Sequence, residues 1–502
     1  MRFSWLEDRP GRFSPSASQS GAAGRREAIS TGEESLKALG YEQQLHRSVT
    51  PFGHLALILS DITPTASILV VATAVIAVAG TGSPIAFIVG CFIAVNVAFC
   101  MGELGSMFPV AGGLFSIVTR VLGKPVGFLA MVDYMAQAVF LPASIAIGIG
   151  TYVHSLAPQI PENIISGVGM IVVTGVCLLK IRFNSWLTAV FLAIELLVVT
   201  AIAVAGFTHL HQPLSILTHP KALGSTGLLV PIGGGAIIAA IATSLFSVNG
   251  YDSGINFAEE VLGSAKAVGR AVVMAALVGI VFELVPFVAI VFAAPSITSF
   301  LHSGTPLTYV AGRSFGSDFQ TIITVGALLA IFNASVAITL QFARIVWATG
   351  RDRAWPEPIS SWIGKVEPHR GAPWVATLFV GTLATILCFQ SSLITVVTFT
   401  AVLLVVLYGL IAISALVSRV KQRDLPRPSK MPFWPLPPII TLVGVVIALT
   451  QQKVSDLITV VVLFAVAAAY YFIFVAPRQG RYWVQANLPD PYDTAQPLPA
   501  QD

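Results

Sequence analysis

The chain has 502 residues, 55% of them hydrophobic and 10% charged, with a mean hydropathy of +0.82 and a formal charge of +4. Such a composition excludes an ordinary soluble domain and predicts a polytopic membrane protein. The placement of the basic residues, 25 of 28 on one side of the expected membrane, excludes reading the positive charge as nucleic-acid binding; it fits a cytoplasmic face over anionic lipid.

In chain order, residues 1–35 are rich in Ser, Gly and Arg and predict a disordered cytoplasmic tail, with no secretory signal pattern in this polar start. Residues 36–47 predict a short interfacial helix. A membrane-crossing helix needs roughly 20 apolar residues. Twelve such stretches lie near 52–79, 84–108, 126–154, 163–180, 185–206, 235–260, 271–294, 320–346, 373–390, 393–418, 434–450 and 455–476. The end, 477–502, is polar and Pro-rich and is expected in the cytoplasm. With the N-terminus cytoplasmic, only Lys221, Arg313 and Lys453 fall outside, which predicts twelve spans with both termini inside. Arg344, near the inner end of the eighth span, is expected to reach the cytoplasmic face. Cys91, Cys100, Cys177 and Cys388 lie in or beside apolar stretches and predict buried thiols, not a disulfide framework.

Two stretches are interrupted. The first carries Ser60-Asp61-Ile62-Thr63-Pro64-Thr65, and the sixth carries Ser247-Val248-Asn249-Gly250-Tyr251-Asp252-Ser253-Gly254. Each interruption contains an acid, and five spans separate them, so the two helices cross in opposite directions. Broken helices survive in lipid only around a cavity or buried in protein. The expected architecture is therefore all-α, an inverted 5+5 repeat with discontinuous helices one and six. Repeat one covers about 52–206 and repeat two about 235–418, with two additional helices at about 434–476. The twelve-helix domain as a whole runs from 36 to 476.

Asp61, Asp133, Glu195, Asp252 and Glu283 are expected well inside spans, with no Lys or Arg at comparable depth. Intramembrane acids are costly and usually functional. A deep site of carboxylates suits a cationic group: a substrate amine, a sodium ion or a proton. The outer half of span one begins near Thr65 and Ser67 and turns free N–H groups toward the midplane, where a carboxylate can bind. The half-helix ending near Val248 presents carbonyls suited to an amine. An ionised Asp61 opposes a substrate carboxylate, so either Asp61 is protonated on binding or the substrate lacks that group. The substrate-site candidates are Asp61, Ile62, Thr63, Thr65 and Ser67, then Asp133 and Tyr134, then Phe246, Ser247, Val248, Asn249, Gly250, Tyr251 and Asp252. The coupling candidates are Asp61, Glu195, Asn333 and Ser335. Asp133 reads equally well as a helix–helix hydrogen-bonding group, Glu283 as a structural one, and Phe246 as core packing or a gate. No metal site is expected; His209, His211 and His219 lack a clear ligand spacing.

At these residues the chain resembles the amino acid–polyamine–organocation transporter superfamily, over roughly residues 36–476. The segment Gly102-Glu103-Leu104-Gly105-Ser106-Met107-Phe108-Pro109-Val110-Ala111-Gly112-Gly113 resembles the signature after that family's second span. Phe246 to Asp252 resembles its broken sixth helix, and Glu259-Glu260 through Arg270-Ala271 the loop that follows. Gly350-Arg351-Asp352-Arg353-Ala354-Trp355-Pro356 and Gly371-Ala372-Pro373 resemble its loop between spans eight and nine. Leu39-Gly40-Tyr41 with Leu45-His46-Arg47 looks like the lead-in of the amino acid/choline branch; Asp133-Tyr134 with Leu141-Pro142 also resembles putrescine-type permeases. The resemblance implies a LeuT-like fold and alternating access. It departs at the first break, which has no glycine, and at Glu195, which stands near a position where some members carry a coupling lysine.

The expected function is a secondary-active permease for amino acids or their derivatives, proton-coupled or an exchanger, with H+ or Na+ as the possible coupling ion. The rival is an organic-cation permease for a polyamine or choline. A channel or a non-transporting sensor stands further off. No nucleotide-binding loop is present, so no enzyme or ATP-driven pump is expected and no cofactor. The expected partners are a small amine-bearing solute and the lipid bilayer, the expected location is the plasma membrane, and the oligomeric state is left open.

Overall fold

The structure is a computed structural model that describes residues 45, 47, 49–179, 181–224, 226–367, 372–478 and 480–484, with 181–188 in backbone only. The expected N-terminal tail, the interfacial helix over 36–47 except Leu45 and Arg47, and most of the C-terminal tail lie outside the described residues.

Helix α1 (Pro51–Ile62) starts where the Thr50 hydroxyl accepts from Gly53 N at 3.1 Å and Pro51, lacking an N–H, takes the first turn. It stops at Thr63, whose backbone is left-handed (φ 48°, ψ 66°). Pro64 cannot donate to the preceding turn, so a new helix begins there: α2 (Pro64–Ala66), a π-helical turn over Ser67–Val71, and α3 (Ala72–Ala79). Then follow α4 (Ser83–Met107), α5 (Gly113–Leu122), α6 (Lys124–Leu156), α7 (Glu162–Cys177), α8 (Ile181–Thr208) and a single turn, α9 (Ser215–Thr218). The next helix, α10 (Gly234–Ser247), ends five residues before α11 (Ser253–Asn256). Beyond lie α12 (Ala265–Phe292), α13 (Ile297–His302), α14 (Pro306–Phe315), α15 (Ser317–Arg351), α16 (Glu357–Ile363), α17 (Trp374–Gln390), α18 (Leu393–Lys421), α19 (Leu436–Leu449) and α20 (Val454–Tyr470).

Seven helical stretches among the described residues are long and apolar enough to cross a membrane: Pro51–Met107, Lys124–Leu156, Ala189–Thr208, Ala265–Phe292, Ser317–Arg351, Leu393–Lys421 and Val454–Arg478. Five shorter apolar helices accompany them: Gly113–Leu122, Glu162–Cys177, Gly234–Ser247, Trp374–Gln390 and Leu436–Leu449. Leu197, Val281 and Ile473 stand more than half exposed on outer faces. That much apolar surface is stable against lipid and not against water. Inside, α12 lies along α4 and α8, and α15 along α6 and α8. The α4–α12 crossing is set by small residues: a Cβ on Gly269 would stand 2.3 Å from Gly102 O, so the backbones touch. All four cysteines are buried and free.

The chain is mostly helical, as expected, with one short addition: β1 (Lys221–Leu223) and β2 (Leu229–Pro231) form an antiparallel hairpin between α9 and α10, with Ala222 opposite Val230, which pairs its backbone groups. One expectation needs correction: Arg344 does not reach toward solvent. It is 2% exposed and turns inward to a carboxylate, because Glu260 lies within reach and stacking on Phe257 covers its other face.

Candidate functional site

The two chain breaks meet. Gly250 (φ +116°) lies so close to the first break that a Cβ on it would come within 2.6 Å of Asp61 C and Ile62 N. Residues Val248 to Asp252 form the non-helical link between α10 and α11, and Val248 N and Asn249 N close the end of α10 on Ser244 O and Phe246 O. The first break is shallower than the free N–H groups expected at Thr65–Ser67 suggest. Only Thr63 leaves helical geometry, and Ser67 N is already bonded to Thr63 O at 2.9 Å.

Around the contact, Asp61, Ile62, Thr63, Ser67, Phe246 and Asn249 line a small cavity, together with Val71, Leu141, Ile145 and Ile338. It holds about 10 Å³, on the order of one water. Neither carboxylate oxygen of Asp61 has a hydrogen-bond partner at normal geometry among the described residues, and the residue is 3% exposed. The Ser253 hydroxyl beside it donates to Gly250 O at 2.6 Å. An ionised carboxylate in such a place needs a cation close by, since no basic side chain neutralises it.

The other expected residues fall into three groups. Asp252 and Tyr134 form a buried polar cluster beside the second break. The Tyr134 hydroxyl donates to Asp252 Oδ2 in a short hydrogen bond, Gln341 Nε2 donates to the same oxygen at 3.0 Å, and Asn256 Nδ2 donates to the Tyr134 hydroxyl at 2.9 Å. Glu195 on α8 accepts from Asn333 Nδ2 of α15 at 2.7 Å, while its main-chain carbonyl accepts from the Thr65 hydroxyl at 2.8 Å. The third group is turned away from the cavity. Asp133 accepts from Gln137 one turn along its own helix at 2.8 Å, the Ser335 hydroxyl donates to Ile331 O, and Tyr251 stacks on Tyr408 with ring centroids 6.3 Å apart. Ser247 bridges toward Ser67 O at 3.3 Å.

Sequence reasoning missed Gln341, Asn256 and Tyr408, whose hydroxyl donates to Asn249 Oδ1 at 2.7 Å. Gln341 had a signal, since it lies eight residues beyond Asn333 on an apolar helix, roughly the same face. Tyr408 had none, because an amphipathic ring in an apolar span reads as packing.

The ends of the site differ. On the side of the turns 157–161, 303–304 and 391–392, a vestibule of about 560 Å³ is lined by Thr73, Ile147, Glu162, His302 and Ser392, among others. Val71 and Ile145 line the small cavity, and Thr73 and Ile147, two residues farther along the same stretches of chain, line the vestibule. The opposite helix ends are tied by charge. Arg344 forks onto Glu260 with a second contact of 3.1 Å, and Arg351 bonds Glu259 at 2.9 Å and Asp352 at 3.1 Å. Burial pushes the Asp352 carboxyl up, against the pull of Arg351. Glu103 is fully buried and held by Arg419 at 2.6 Å and Arg427 at 3.2 Å. Arg47 Nη1 donates to Val261 O at 2.8 Å, so the segment before α1 is stitched to the chain after α11. Among the described residues, no cluster of three or more His, Cys, Asp or Glu side chains could hold a metal ion.

A family model described as amino acid permease matches residues 50–485. A branched-chain amino acid permease of Bacillus subtilis (strain 168) is 23% identical over 478 residues, covering 90% of this chain and 98% of its own. A methylthioribose transporter of the same organism is 22% identical, covering 88% and 96%. The human b(0,+)-type amino acid transporter 1 is 22% identical over 413 residues, covering 77% and 79%.

Proposed function

The chain belongs to the amino acid permease family, an integral multi-pass membrane transporter rather than an enzyme, and from that premise we propose that it carries an amine-bearing amino acid or amino-acid derivative by alternating access. The observation that carries this reading is the backbone contact of Gly250 with Asp61–Ile62, beside a buried carboxylate that no side chain among the described residues neutralises. The substrate amine lies against Asp61, flanked by Thr63, Ser67, Phe246 and Asn249. Because the cavity is smaller than any amino acid, binding requires the outer helical halves to part, and the vestibule supports entry from that side.

Twelve spans in an inverted 5+5 repeat, with the last two outside it, are the arrangement this function needs. The vestibule then faces the exterior, and both termini and the ion-paired helix ends face the cytoplasm across a plasma membrane. Opening inward breaks the Arg344–Glu260 and Arg351–Glu259 contacts in exchange for those closing the vestibule. Glu195 with Asn333 is the coupling point: it touches the first broken helix through Thr65 and carries an exchangeable proton. A second reading, an organic-cation permease, is favoured by one observation, the absence of an unwound stretch of free N–H groups at Thr63 to receive a carboxylate.

Uptake of a radiolabelled amino acid mixture and, separately, of radiolabelled putrescine into proteoliposomes separates the two. Saturable uptake of amino acids, with counterflow and competition by free amino acids, supports the first. Competition by decarboxylated amines alone supports the second. Neither uptake nor counterflow with either label removes both.

A further inference from the structure

Glu283 lies about two-thirds of the way along α12, fully buried, and takes no part in the site described so far. Its Oε1 has no hydrogen-bond partner among the described residues, and its Oε2 lies 3.5 Å from the Ser247 hydroxyl. Ser247 is the last residue of α10, at the edge of the second break, and the same hydroxyl lies 3.3 Å from Ser67 O, just past the first break. A serine has one proton to donate, so it can serve Ser67 O or Glu283 but not both at once. Glu283 is therefore next to a hydroxyl that joins the outer halves of the two broken helices.

Among the described side chains on the elements packed against α12, the ionisable groups are Cys91 on α4, His54 and Asp61 on α1, Glu195 on α8 and Tyr309 and Arg313 on α14, with Cys100 and Glu103 farther along α4. Cys91 stands across the α4–α12 contact from Glu283 as a buried free thiol. His54 is engaged with Gly254 O at 2.9 Å, Glu195 with Asn333, and the Arg313 guanidinium lies over the Tyr309 ring. Among the described residues, no base neutralises the carboxyl. Ser67 O, Ser247 Oγ and Glu283 Oε2 satisfy a proton, whereas hard cations such as Ca2+ and Mg2+ take about six or more oxygens.

We infer that Glu283 is a second proton-carrying group of the transport cycle, loaded while Ser247 bridges the two breaks and released when the outer helical halves part and water reaches it. The proton leaves the carboxyl oxygen for water on the vestibule side and is replaced from water on the opposite side while the outer halves are closed, so one proton crosses the membrane against each solute and no other reactant is needed. This inference rests on the transport reading above.

The test is uptake into proteoliposomes of whichever labelled solute the wild-type protein accumulates, amino acid mixture or putrescine, with and without an imposed pH gradient. Glu283→Gln, which keeps shape and loses the exchangeable proton, is expected to lower gradient-driven accumulation at least about tenfold while counterflow at equal pH stays within about twofold. Glu283→Asp is expected to restore part of the drive, and Ser247→Ala to shift the pH profile of uptake. Gradient-driven accumulation unchanged in Glu283→Gln overturns the inference. So does loss of counterflow together with drive in a variant that remains monodisperse, which marks a structural role. So does a Glu283→Gln effect that follows a sodium gradient instead of pH, or wild-type accumulation that ignores pH. Wild-type protein with neither uptake nor counterflow removes the transport reading itself and is thereby distinguishable.

Discussion

Gly250 and Asp61 are in backbone contact: the space a Cβ would take on Gly250 is occupied by the carbonyl carbon of Asp61, 2.6 Å away. At φ +116° an L side chain is strained as well. Gly250→Ala is therefore expected to push the breaks apart or distort both, at a cost of about 1–3 kcal/mol. Thermal unfolding in detergent should show the loss, and uptake should fall to background. Wild-type uptake in this variant would mean that the contact is incidental.

Asp61→Asn keeps the volume of the side chain and removes its charge. If the carboxylate receives the substrate amine, kcat/KM should fall by roughly tenfold to a hundredfold and the pH profile should change. Uptake and pH dependence both unaltered would remove Asp61 from the mechanism.

The Arg344–Glu260 pair is buried on both sides, each side chain 2% exposed. Removing one partner of a buried pair leaves an uncompensated charge and typically costs about 3–5 kcal/mol. Glu260→Gln should therefore destabilise the protein strongly, and Glu260→Gln combined with Arg344→Met should recover part of the loss. A double variant no more stable than Glu260→Gln alone would show that the pair is not energetically coupled.

Trp483, 1% exposed, packs its ring against Phe115 and Phe128 at centroid distances of 5.8 and 5.3 Å, and its main-chain N–H donates to Arg353 O. The segment after the last apolar helix is thus pinned beside Asp352 at the ion-paired end. Trp483→Ala should cost about 3–5 kcal/mol. Differential scanning fluorimetry against wild type measures it, and an unchanged transition would place the ring outside the cooperative unit.

Much of this architecture was legible from residue order. The stretch read as 84–108 is α4 (Ser83–Met107), and the stretch read as 393–418 begins within α18 (Leu393–Lys421), because a helix in lipid must satisfy its own backbone and so needs an unbroken apolar run. Pro64 and Gly250 marked the interruptions, because each changes backbone geometry by itself. The depth of the first break was not legible, since one left-handed residue at Thr63 is enough for Pro64 to restart the helix.

Local chemistry thus determined that the chain lies in a membrane, where its helices run and where two of them snap. The tertiary structure alone decided which side chains share a space. Asp133 sits beside Tyr134 in the chain yet turns to its own helix while Tyr134 bonds Asp252, and Arg344 folds inward instead of reaching out. A side chain's partner depends on how neighbouring helices are rotated and how closely they approach, and contacts such as Gly102 with Gly269 set that approach between residues remote in the chain.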